Sequence, residues 1–153
     1  MQRPLRPSLQ LLALGAVLTA SGAARAENLY EIAKTEPKVA VGATAMASLT
    51  ITAKGGWHVN AEAPITVALT APSGVTLQKV KLTRADLAAS TVDSARFDIP
   101  VAAKEMGKQT IAAETRFVIC QEQACKPVKE TIAVAVEVTA AGAEKPTKKK
   151  AAN

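Results

Sequence analysis

Phe117-Val118-Ile119-Cys120-Gln121-Glu122-Gln123-Ala124-Cys125-Lys126-Pro127 decides how this chain is read, because it holds both cysteines between two alternating apolar runs. Upstream, Ile111, Ala113, Phe117 and Ile119 fall on one face of a strand pattern; downstream, Ile132, Val134, Val136 and Val138 do the same. A turn through Gln121 to Ala124 joins the two runs as a hairpin. Cys120 and Cys125 then face each other across the ladder, where opposed residues come about 4.5 to 5.5 Å apart, a separation that suits a disulfide. The stretch predicts a β-domain with one hairpin disulfide, which either works chemically or staples the turn.

Short strands continue outward from the hairpin. Ala45, Ala47, Leu49, Ile51 and Ala53 alternate with polar residues, and Lys54-Gly55-Gly56 breaks that run. Trp57 to Asn60 resumes as a strand. Ile65, Val67 and Leu69 form another alternating set, ended by the turn at Pro72-Ser73-Gly74. Val75, Leu77, Val80 and Leu82 read as one weaker strand, and Thr83 to Ser94 reads as a loop with one helical turn. Phe97, Ile99 and Val101 alternate in turn, and Pro100 among them calls for an edge or an outward-facing ladder site. Glu27 to Glu36 is too short and too charged to assign. About seven short strands with turn signals every 8 to 12 residues describe an all-β, immunoglobulin-like antiparallel β-sandwich. Its core is Ala- and Val-rich, so Trp57, Phe97, Phe117 and Tyr30 are expected to carry much of the aromatic packing.

The chain begins with an export pattern. Arg3 and Arg6 precede an apolar run from Leu9 to Ala20, and small residues follow, ending at Ala24-Arg25-Ala26. This is the form of a signal peptide over residues 1–26, cut after Ala26. The expected location is therefore periplasmic or secreted, where a disulfide is permitted, with no stable membrane insertion. Residues 27–140 are expected to form one domain. Residues 141–153 form a Lys-rich tail whose composition cannot pack.

The formal charge of +6 is misleading. Removing Arg3, Arg6 and Arg25 leaves 16 basic against 13 acidic residues, and residues 27–143 hold 12 of each. A neutral body offers no basic face for nucleic acid. Without paired carboxylates, a second histidine or a nucleophile elbow, hydrolase chemistry has no foothold either.

With Gly56-Trp57-His58-Val59-Asn60 after an early strand, Phe97-Asp98-Ile99-Pro100-Val101 before the last hairpin, and Cys120 to Cys125 followed by Pro127, the chain resembles the periplasmic N-terminal domain of the thiol:disulfide interchange protein DsbD. The likeness covers about residues 37 to 139. It implies an immunoglobulin-like sandwich that passes electrons to periplasmic partners through a disulfide between its last strands. By position, Cys125 forms the mixed disulfide and Cys120 resolves it. The expected partner is a thioredoxin-like redox protein or a membrane electron transporter supplied by another polypeptide. His58 and Asn60 stand where that family has tyrosines, and Lys126 stands where it has an aromatic. Arg84 to Ser94, matching the family's aromatic cap, has no aromatic residue.

His58, Asn60, Lys126 and Pro127 are thus the candidates for shaping the cysteine site. A protonated His58 close to a sulfur favours the thiolate, and Lys126 acts in the same direction. Cys120, Cys125, His58 and a methionine are ligand types that suit copper or zinc, but no paired-ligand motif supports them, so neither metal nor other cofactor is expected.

Overall fold

The computed structural model describes residues 28–60 and 62–141. The expected signal peptide and the tail from residue 142 onward lie outside the described residues.

Eleven strands are present among these residues: β1 (Tyr30–Lys34), β2 (Lys38–Ala40), β3 (Thr44–Ala53), β4 (His58–Val59), β5 (Thr66–Thr70), β6 (Val75–Leu77), β7 (Lys81–Thr83), β8 (Leu87–Ser90), β9 (Ser94–Ala103), β10 (Gly107–Gln121) and β11 (Ala124–Thr139). One sheet runs β1-β3-β9-β6, with β8 also on β9; the other runs β2-β11-β10-β5-β7, with β4 also on β10. All described pairs are antiparallel except β2 with β11. The two sheets form the immunoglobulin-like β-sandwich that the alternation predicts.

Strand alternation builds the core directly. Leu49 and Ile51 of β3 and Phe97, Ile99 and Val101 of β9 supply one side, while Val67 of β5, Ile111, Phe117 and Ile119 of β10, and Val134 and Val136 of β11 supply the other. Each of these side chains is buried. Phe97 and Phe117 take the central places expected of them, whereas Trp57 and Tyr30 pack half-buried against the margin. Thr115 is the one buried polar residue among those described, and its hydroxyl donates to the Ala113 carbonyl at 3.5 Å.

Several segments differ from the sequence reading. The weak pattern from Val75 to Leu82 is two strands in different sheets, because β6 pairs with β9 and β7 pairs with β5. Thr83 to Ser94 contains the helical turn, a 3-10 turn at Arg84–Asp86, and then a strand, β8. Its apolar content of Leu87 and two alanines is too sparse to reveal a period. The unassigned N-terminal segment forms β1 against β3.

Pro100 lies on β9, an interior strand whose second edge is covered only in parts. β8 reaches Phe97 and β6 begins at Val101, so β9 from Asp98 to Pro100 has a strand partner on the β3 side alone. The missing proline N–H is tolerated there because the ladder is open.

Candidate functional site

The site is set by how the chain leaves β3. Gly55 and Gly56 both have positive φ, 64° and 80°, and Trp57 N–H closes the turn onto the Lys54 carbonyl at 3.2 Å. Two successive left-handed residues strongly favour glycine. This turn carries the chain from one sheet to the other and lays β4 along β10. Val59 points inward, and the alternation turns His58 and Asn60 to the outer face.

On that face the long hairpin brings Cys120 opposite Cys125, with the sulfurs bonded at 2.02 Å and the Cα atoms 4.0 Å apart. On its other side Cys120 pairs with His58. His58, Cys120 and Cys125 therefore form one cross-strand row, with their side chains on the same face. The row lies outside the core. Cys120 is half-buried and Cys125 exposed.

Asn60 lies beside this row. Its backbone N–H donates to the Val118 carbonyl at 2.9 Å, and its side-chain Oδ1 accepts from the backbone N–H groups of Glu62 and Ala63 at 2.8 and 3.0 Å. Those two donors fix which end of the amide is oxygen. The hydrogens on Nδ2 are turned to Cys120 Sγ at 3.3 Å.

His58 is held from the opposite sheet. Its Nδ1 lies 2.6 Å from Asp93 Oδ1 in the turn between β8 and β9. Thr91 Oγ1 accepts from the N–H groups of Asp93 and Ser94, while the Asp93 carbonyl accepts from Ala53 N–H at 2.8 Å. The aspartate thus hangs on a braced turn. Sequence reasoning missed Asp93, which lies 35 residues from His58 with only the local Thr91-to-Ser94 turn pattern as a signal.

Lys126 and Pro127 separate. Lys126 pairs with Ile119 and so leaves the strand on the face opposite the cysteines, away from the row it was expected to assist. Pro127 pairs with Val118 on the cysteine face. Glu137 N–H donates outward to the Pro37 carbonyl, so every second residue back along β11 turns the same way, Pro127 included. The Lys34 ammonium on the Ala133 carbonyl agrees with this parity. The proline nitrogen therefore faces away from β10, and no ladder bond is lost.

Two open surfaces flank the disulfide. A polar cleft of about 340 Å³ runs between Gly55, Gly56 and His58 on one side and Gln121 to Gln123 on the other. A shallow, mainly apolar groove of about 460 Å³ lies over Pro64, Val118, Pro127 and Val128. Arg116 and Lys129 border this groove, but both turn onto Glu114 at 2.8 and 3.1 Å. Hydrogen bonds first from Arg116 and then from Lys129 hold the Glu114 carboxyl below its usual range.

Among the described residues, no cluster of three or more His, Cys, Asp or Glu side chains suits a metal ion. Among them too, no helix is long and apolar enough to cross a membrane.

No protein-family model matches the chain, and no curated protein matches it. Solved structures similar to it include domains 4 and 5 of the S-layer protein SbsC, at 19% identity and a TM-score of 0.43 over 72% of this chain and 51% of that one. Others are AggA, the major subunit of aggregative adherence fimbriae type I from Escherichia coli, at 12% identity and 0.39 over 72% and 94%, and PapD-like domain 7 of human CEP192, at 11% and 0.38 over 90% and 100%. The chain spans about half the length of the S-layer fragment.

Proposed function

We propose that this chain is an exported thiol-disulfide exchange module, passing electrons between a thioredoxin-like or membrane donor and periplasmic partners through Cys120 and Cys125. The observation that carries the reading is the placement of the bond. It lies outside the core, with Cys125 exposed and Cys120 half-buried against a hydrogen-bond donor. An incoming thiolate reaches Cys125 without unfolding anything, and Cys120 is left to resolve the mixed disulfide.

Energetics support the same reading. Closing a six-residue ring removes only about 2 kcal/mol of unfolded-state entropy. The two strands are already paired along the whole of β10. Opening such a bond leaves the sandwich standing, as a module that cycles between two redox states requires.

A second reading, a structural staple in a binding or scaffolding sandwich, rests on the turn itself. Glu122 and Gln123 join the strands without any residue in the left-handed region. Two-residue turns of that kind splay the strands instead of following their twist, and a bond at the next rung clamps them. Redox titration separates the two readings. An exchange module has a potential above about −300 mV and equilibrates with a thioredoxin-like protein, whereas a staple lies below that value and resists reduction.

A further inference from the structure

The disulfide has two sulfurs, and the surroundings of Cys120 distinguish them. The Asn60 amide cannot turn over, because Glu62 N–H and Ala63 N–H both donate to its oxygen. Its Nδ2–H donors are therefore permanently presented to Cys120 Sγ. No residue among those described donates a hydrogen bond to Cys125 Sγ.

We infer that Asn60 makes Cys120 the leaving sulfur, by holding the thiolate that forms on it when the disulfide is attacked. The inference rests on the exchange reading for its biological use, though the chemistry is a property of the bond. An incoming thiolate forms a new S–S bond to Cys125 Sγ. The Cys120–Cys125 bond breaks, and its electron pair leaves on Cys120 Sγ. The nascent negative charge meets the Asn60 Nδ2–H dipole at the moment it develops, in a half-buried position where few waters compete. A better-stabilised leaving thiolate departs faster. In the return direction, the Cys120 thiolate attacks Cys125 Sγ of the mixed disulfide and expels the partner's thiolate, so no further oxidant or reductant is required. His58, directly across the ladder from Cys120 and tied to Asp93, is the titratable group next to this sulfur on β4; Lys126 faces away.

The discriminating variant is Asn60→Asp. It keeps an oxygen acceptor for Glu62 N–H and Ala63 N–H, so the local turn survives, but it replaces the donor facing the sulfur with a carboxylate oxygen. Reduction of the full chain's disulfide by dithiothreitol is expected to slow about tenfold or more in Asn60→Asp, and less in Asn60→Ala, as fits loss of one hydrogen bond to a charged group. In the Cys125→Ser background, ultraviolet absorbance of the thiolate is expected to titrate to higher pH in Asn60→Asp than with Asn60 present. Early mixed disulfides with glutathione, mapped by mass spectrometry, are expected on Cys125. Unchanged reduction rate and thiolate titration in both variants, or glutathione mapping to Cys120, overturn the inference. Because these readouts use only small thiols, they stand or fall independently of whether a protein partner exchanges with the bond.

Discussion

Tyr30 and Phe117 meet edge to face, with ring centroids 5.2 Å apart and planes at 87°, and so key the first strand of one sheet to the long hairpin of the other. Phe117 is buried, in a core otherwise made mainly of small and branched aliphatic residues. Phe117→Ala is expected to lower unfolding free energy by about 3 to 5 kcal/mol. Urea denaturation measures this, and a loss below 1 kcal/mol would contradict the packing described.

Tyr30 also predicts an alkaline limit. Burial first, and then the Glu130 carboxylate that accepts its hydroxyl, push the phenol from 10.0 up to about 12. The fold thus favours the neutral phenol. Its contribution is fully present below pH 10, declines from pH 10 to 12, and is gone above 12. Tyr30→Phe removes this titration, so its stability should fall less steeply than wild type across that window. Parallel slopes in denaturation series at successive pH values would argue against it.

Gly56 sets where β4 begins. An added Cβ there meets nothing within 4 Å, so the cost of Gly56→Ala comes from its φ of 80° alone, about 1 to 2 kcal/mol. The same variant is expected to shift the His58 and Asn60 resonances in NMR spectra, because the turn delivers both residues to β10. Unchanged resonances and full stability would detach the turn from the site.

Pro127 occupies an edge position with its nitrogen turned from β10. Pro127→Ala is therefore expected to change stability by no more than about 0.5 kcal/mol while adding a free N–H to an open strand edge. Light scattering is expected to register increased self-association. A large stability change without association would mean that the proline supports the hairpin instead of guarding its edge.

The fold was legible because the long strands bury one face each: the apolar positions of β3, β9, β10 and β11 recur every second residue. β6, β7 and β8 were not, since strands of three or four residues carry too few positions to establish a period. The site was half legible. Hairpin spacing set Cys120 opposite Cys125, and the family likeness singled out His58 and Asn60. Asp93 comes from another sheet through a turn, and the orientation of the Asn60 amide depends on two backbone donors that follow it. Lys126 lies on the face opposite the sulfurs because neighbouring strand residues point opposite ways, so adjacency to Cys125 in sequence does not bring it to the disulfide in space.

Trapping separates the roles of the two cysteines. Cys120→Ser and Cys125→Ser are each incubated with a thioredoxin-like protein that lacks its own resolving cysteine and carries its remaining thiol as a mixed disulfide with thionitrobenzoate, so that the variant's thiolate displaces thionitrobenzoate, and covalent complexes are resolved on non-reducing gels. A mixed disulfide through Cys125 is expected to accumulate in Cys120→Ser, with little or none in Cys125→Ser. Trapping only through Cys120 would reverse the assigned roles, and no complex with either variant would contradict the exchange function altogether.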